Sequence, residues 1–212
     1  MMPAAAVMTY DSLAADVQSY LERTDAATVD KIPTFIMLAE QVIASQIKFL
    51  GNLTVNTSMM VQGDPVIQKP ARWHKTVSLN VTVGGQRKPV LLRRYEYLRQ
   101  YWPDATSEDV PLYYTDYDYD HWLVAPTPDA AYSFEVIYYQ RVQPLDSSNQ
   151  TNWFTQHAPQ ALLYGTLLQA MPFVKNDERI PVWQQQYDLV MRTLMAEDKL
   201  RVADRQAVAI DS

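Results

Sequence analysis

The sequence predicts an α+β protein with helical segments at its two ends and a β-rich centre. Three observations lead there. Apolar residues recur at helical spacing near both termini, as in Leu13, Val17, Tyr20 and Leu21. In the middle the period falls to two, with Val77, Leu79, Val81 and Val83 alternating with Ser78, Asn80 and Thr82. The stretch 87–141 then gathers most of the 14 tyrosines into aromatic runs bounded by Pro and Asp clusters, the mark of strands and turns.

The chain has 212 residues, enough for one domain or one domain with an inserted lobe. Its apolar fraction of 48% is enough for a real core and argues against wholesale disorder. No apolar run approaches the roughly 18–20 residues that span a bilayer, so no membrane partner is expected. The start, MMPAAAVMTYDS, lacks a basic region and reads as a flexible arm rather than a signal peptide. Cysteine is absent, which excludes a disulfide framework and thiolate metal sites and suits a reducing cytoplasm.

In chain order, residues 11–23 form an amphipathic helix that Thr9 or Asp11 can cap. A short polar linker leads to a second helix over 33–50. Pro33 suits its first turn, Ile36, Ala39, Ile43, Ile47 and Leu50 form its stripe, and Gly51 sits where a left-handed cap is expected. LTVNTSMMV (53–61) reads as a strand, followed by a turn at 63–65. A second strand runs to Val83, Gly84–Gly85 makes a hairpin turn, and 88–92 returns. Residues 95–102 read as a short helix stopped at Pro103. Strand runs at 112–115, 122–125 and 132–139 complete the sheet.

After a polar break at 147–152, a third helix runs over 159–170 until Pro172 interrupts it. A fourth begins at Asp177 or Glu178 and extends to Arg205, with Trp183, Tyr187, Val190 or Met191, and Leu194 on its apolar face. After Met195 it carries too few apolar residues to bury a face in its own subunit. The last residues, AVAIDS, read as a tail.

The net charge of −6 opposes electrostatic gripping of nucleic acid. The average hides a reversal. Residues 69–101 carry +7 and residues 102–140 carry −8. Two readings follow. The blocks pair within one subunit, or one face meets the opposite face of a neighbouring copy, as head-to-tail rings require.

Catalytic patterns are scarce. His74, His121 and His157 are far apart and stand in no metal-binding motif, so no metal site and no cofactor are expected. There is no nucleotide loop and no nucleophile elbow, and no catalytic residue is assigned. The alternating Asp116, Asp118 and Asp120 resemble half a calcium loop, but His121 and Thr127 stand where Gly and Glu are needed. On one strand these carboxylates would repel one another, which a tight turn near Asp118 relieves. Tyrosines beside carboxylates also suit sugar binding, and two carboxylates at a suitable separation hydrolyse glycosides. Aromatics among cations at 72–95 suit single-stranded nucleic acid, against which the acidic block works.

From 9 to 205 the chain resembles the head-to-tail adaptor proteins of tailed bacteriophages, of the tail tubular protein A kind. The likeness rests on TYDSLAADVQSYLERTD, IPTFIMLAEQVIASQIKFLG, KPARWHKTVSLNVTV and LLRRYEYLRQYWPD. It continues through DYDYDHWLVAPTPDAAYSFEVIYYQR, NQTNWFTQHAPQALLYGTLLQA and FVKNDERIPVWQQQYD. The order and density of these stretches carry it, not any one motif.

The resemblance implies a helical bundle from 1–52 and 153–205, an inserted antiparallel β lobe at 53–152, and a tail at 206–212. It implies a structural virion protein of the neck, not an enzyme, assembled in the bacterial host cytoplasm. Such adaptors form a ring of about twelve copies beneath the portal protein. The ring extends the DNA channel, through which genomic DNA passes without sequence-specific recognition, and gives tail nozzle or tube proteins a platform. An acidic average suits DNA that must slide. Residues 196–212, with Glu197, Lys199, Arg201, Arg205 and Ile210, are the expected portal-docking segment, mobile until bound. Arg93, Arg94 and Arg99 are expected to face Asp116, Asp118 and Asp120 of the neighbouring copy. The alternatives are a carbohydrate-binding module or glycosidase, a nucleic-acid-binding module, or another connector role such as stopper or tail terminator.

Overall fold

A computed structural model of the chain describes residues 7–47, 52–174 and 178–206, with side chains described only to Leu200 in the last segment. The fold is mixed α+β and divides into two compact units. The two ends of the chain, 1–51 and 142–212, make one, and residues 52–141 make the other. The connection 142–152, assigned from sequence to the lobe, lies with the helices.

The terminal unit is helical. Helix α1 spans Tyr10–Leu21 and begins with a reciprocal cap. The Thr9 hydroxyl accepts from the Ser12 N–H at 3.1 Å, and Ser12 Oγ accepts from the Thr9 N–H at 2.8 Å. Leu13, Val17 and Leu21 are buried, whereas Tyr20, placed on the same stripe from sequence, turns to solvent. A one-turn helix α2, Ala26–Val29, occupies the supposed linker and is capped by Asp25. Helix α3 spans Ile32–Gln46 with Pro33 in its first turn. Leu50 and Gly51 lie outside the described residues.

Helix α5, Trp153–His157, is capped by Asn152 and was not expected from sequence. Helix α6 spans Pro159–Val174 and runs through Pro172, contrary to the sequence expectation of a break there. A proline removes the hydrogen bond to the carbonyl four residues back, here that of Leu168, and the helix continues past that single loss. Helix α7 spans Ile180–Gln206, starting later than the Asp177 or Glu178 expected. Helices α1, α3, α5, α6 and α7 share one apolar core, in which Ile36, Ile43, Phe154, Leu162, Leu167 and Trp183 are buried.

The central unit is built on a curled seven-stranded sheet. Its strands are β1 (Leu53–Met59), β2 (Val66–Gln68), β3 (Trp73–Val83), β4 (Gln86–Leu92), β6 (Tyr113–Asp116), β7 (His121–Ala125) and β9 (Ser133–Gln140). The order is β1-β9-β3-β4-β6-β7-β2. Two short strands, β5 (Glu108–Asp109) and β8 (Thr127–Pro128), pair beside it. The short strands β2, β5 and β8 were not legible in the sequence.

The sheet is antiparallel in most of its ladders, but β4 and β6 run parallel, Leu91 beside Tyr113. Helix α4 (Tyr95–Tyr101) lies between them in sequence and supplies the crossover that a parallel pair needs. At the β3–β4 hairpin, Gly84 and Gly85 have φ of 58° and 78°, the left-handed pair of a two-residue turn. The alternation read along β3 holds for Leu79 and Val81, which are buried, and fails at Val77, which is exposed. The register against β9 shifts between Thr76 and Ser78, so Val77 is the extra residue of a bulge.

Candidate interaction surface

The basic half of this surface is built on α4. Leu98 is buried with Leu123 and Ala125, which fixes one face of the helix to the sheet. That leaves Tyr95, Tyr97 and Tyr101 exposed. Tyr97 and Tyr101 stack with ring centroids 5.7 Å apart, and both meet Tyr113 edge-on, at 5.5 and 5.2 Å. The Tyr97 hydroxyl beside it raises the Tyr113 phenol above its usual range.

The three arginines differ. The Arg93 guanidinium lies 5.7 Å from the Tyr97 ring and 5.5 Å from the Tyr113 ring. Arg99 donates from Nε to Tyr95 Oη at 2.9 Å and lies 5.0 Å from its ring. Arg94 is the N-cap of α4, is exposed, and makes no side-chain cap.

The acidic half is the turn from Asp116 to His121. Lys69 organises it. The residue is only 5% exposed, and its ammonium donates to Asp116 Oδ1, to the Asp118 carbonyl and, at 3.2 Å, to the Tyr119 carbonyl. It also sits 4.2 Å from the Trp73 ring. Asp118 Oδ1 accepts from the Asp120 N–H at 2.8 Å, the His121 N–H at 2.7 Å and His121 Nδ1 at 2.9 Å. Partial desolvation would raise the Asp118 carboxyl, but these hydrogen bonds outweigh it and hold the group below its usual range. The expected relief of carboxylate repulsion by a turn at Asp118 is therefore what the geometry provides. Asp120 offers its carbonyl to the Lys69 N–H at 2.7 Å, and its carboxylate has no partner among the described residues.

The two halves are neighbours in one subunit. Tyr95 of α4 stacks on Tyr117 of the turn. The oppositely charged blocks are also joined by Lys69–Asp116 and by Arg87–Glu135 at 3.2 Å. Among the described residues, no ion pair links Arg93, Arg94 or Arg99 to Asp116, Asp118 or Asp120 of the same chain. Likewise, no group of three or more His, Asp and Glu is placed to hold a metal ion. Among the described residues no helix is long and apolar enough to cross a membrane.

On the C-terminal segment, Trp183, Tyr187 and Met191 anchor α7, and Glu197, Lys199 and Leu200 are exposed beyond them. The side chains of Arg201 and Arg205, and all of Ile210, lie outside the described residues.

Sequence reasoning missed two buried charges. Lys69 gave no signal, since two of its partners are main-chain carbonyls some 50 positions away. Glu40 did: it stands on the α3 stripe between Ile36 and Ile43. It is 6% exposed and accepts from Asn152 Nδ2 at 2.6 Å and the Leu145 N–H at 3.2 Å. This staples the 142–152 connection to α3.

Residues 8–209 match the model of a family described as SU10 adaptor protein. No curated protein matches the chain. The family match spans nearly the whole sequence, and the chain belongs to this family of phage head-to-tail adaptors.

Proposed function

We propose that this adaptor is a structural protein of the virion neck that forms a ring, of about twelve copies, beneath the portal protein. The ring extends the DNA channel and gives tail nozzle or tube proteins a platform, with the helical unit acting as a bundle that carries the β lobe. The observation that carries this reading is the family match over 8–209. The protein works by shape and contact rather than by catalysis, and its net charge of −6 lets genomic DNA slide without adhering. It assembles in the host cytoplasm.

Two surfaces serve the assembly. The first joins neighbouring copies. Of the proposed contacts Arg93, Arg94, Arg99, Asp116, Asp118 and Asp120, most already have partners in their own chain. Among the described residues the side chains of Arg94 and Asp120 have none, and they are the pair through which one copy meets the next. The exposed tyrosines of α4, with Arg93 against Tyr97 and Arg99 against Tyr95, give this part of the surface the aromatic and arginine composition typical of interface centres. The second surface is the end of α7 from Glu197 onward, with Lys199, Arg201, Arg205 and Ile210, which docks on the portal.

Electron microscopy of the chain mixed with the portal protein of the same phage tests this reading. Rings capping the portal are expected. Arg94→Glu or Asp120→Arg alone should prevent ring closure, and the two together should restore part of it. Removal of 197–212 should abolish portal capping while the circular dichroism of the chain keeps its folded form. Portals left bare by the intact chain would reject the adaptor ring.

A further inference from the structure

Among the described residues, strand β1 forms one margin of the seven-stranded sheet and pairs only with β9. Its other edge receives no backbone hydrogen bond among the described residues. Sheet margins are normally guarded by brevity, lysine, proline or a bulge, because a bare ladder recruits other strands. The opposite margin, β2, has such guards. It is three residues long and lies between Pro65 and Lys69–Pro70. Strand β1 has none. It runs seven residues in unbroken register, without Pro, and no charged residue occurs between Lys48 and Asp64.

The side chains of β1 are also reversed. Thr54, Asn56 and Ser58 stand beside the buried Tyr138, Val136 and Phe134 of β9, on the core face. The apolar Leu53, Val55 and Met59 share the other face, where Val55 and Met59 are each 56% exposed.

We propose that β1 pairs with β1 of a second copy, antiparallel and centred on Asn56. In that register Leu53 stands opposite Met59, Thr54 opposite Ser58, Val55 opposite Thr57, and Asn56 opposite itself. Thr54 and Ser58 then meet hydroxyl to hydroxyl on the core face, Asn56 meets its own copy amide to amide, and Leu53 meets Met59 apolar to apolar at the ends of the outer face, with two β-branched residues, Val55 and Thr57, facing each other between them. Strand β1 itself carries no charge that would stand opposite its own copy. The contact is two-fold, since the same patch serves both partners. It is therefore separate from the head-to-tail contacts of a ring and is tested without them.

The chain has no cysteine, so a single introduced thiol reports the register unambiguously. Across an antiparallel ladder the Cα atoms of facing residues lie about 4.5–5.5 Å apart, within disulfide reach. Full-length Asn56→Cys should form a disulfide-linked pair on mild oxidation. Thr54→Cys alone should not, because its two copies stand four positions apart, roughly 14 Å at ~3.4 Å per residue. An equimolar mixture of Thr54→Cys and Ser58→Cys should link again, as the heteropair. Val55→Lys should abolish pairing in sedimentation analysis with an unchanged circular dichroism spectrum. No link through Asn56→Cys, or equal linking through Thr54→Cys alone, would overturn the proposal. A Val55→Lys chain that no longer pairs but still caps portals would leave the proposed function untouched.

Discussion

Tyr95 and Tyr117 stack with ring centroids 6.1 Å apart, joining the basic helix to the acidic turn inside one subunit. The same Tyr95 holds Arg99 through its hydroxyl. A stacked aromatic pair contributes about 0.5–1.5 kcal/mol beyond its buried area. Tyr95→Ala should therefore destabilise the chain by about 1 kcal/mol in urea unfolding and free both the Arg99 guanidinium and the Tyr117 ring. An unfolding midpoint unchanged by this substitution would mean that the stack does not order the surface.

Lys69 holds the acidic turn from beneath. Lys69→Met keeps the length of the side chain but removes the charge that meets Asp116, the Asp118 and Tyr119 carbonyls and the Trp73 ring. Asp116 is itself well exposed, so water compensates part of the loss. A cost of about 1–3 kcal/mol is expected, with faster amide exchange confined to 116–121. Protection in that turn equal to the wild-type value would show that Asp118 alone fixes it.

Burial pushes the Glu40 carboxyl up, against the pull of the Leu145 and Asn152 hydrogen bonds. A carboxyl that titrates higher in the folded chain than in the unfolded one binds its proton more readily when folded. Stability is thus lost as pH rises from the unfolded value, about 4.3, through the raised folded value, and it returns on acidification. Glu40→Gln removes this dependence. Across that window the unfolding free energy of the wild type, measured relative to Glu40→Gln, should rise as pH falls. A difference that stays flat or moves the other way would contradict the burial of an ionised Glu40.

Tyr187 Oη is buried and has no hydrogen-bond partner among the described residues. The ring lines a cleft of about 290 Å³ between α3, α6 and α7. An unmet buried hydroxyl costs about 1–3 kcal/mol. Tyr187→Phe should therefore raise the melting temperature. A lower melting temperature for Tyr187→Phe would show that the hydroxyl is satisfied in solution.

The helices and long strands were legible because their apolar periods are local. The stripe Ile36, Ala39 and Ile43 is written every three or four residues, and the Gly84–Gly85 turn is written in two. What escaped depends on pairing at a distance. Strands β2, β5 and β8 are two or three residues long and exist through their neighbours in the sheet. Val77 is exposed because of a register shift against β9, which the alternation of β3 alone does not encode. At the surface, the acidic turn was legible from carboxylate repulsion, but the intrachain partners of Asp116 and Asp118 were not. Lys69 lies 47 positions from Asp116 in sequence, and a strand-and-turn reading gives no contact between them.

The most direct test of the adaptor ring is native mass spectrometry of the purified chain, alone and mixed with the portal protein of the same phage. A defined complex with a single adaptor count, near twelve copies, bound to the portal ring is expected. A chain that remains free at every mixing ratio, while its circular dichroism shows it folded, would contradict the adaptor ring.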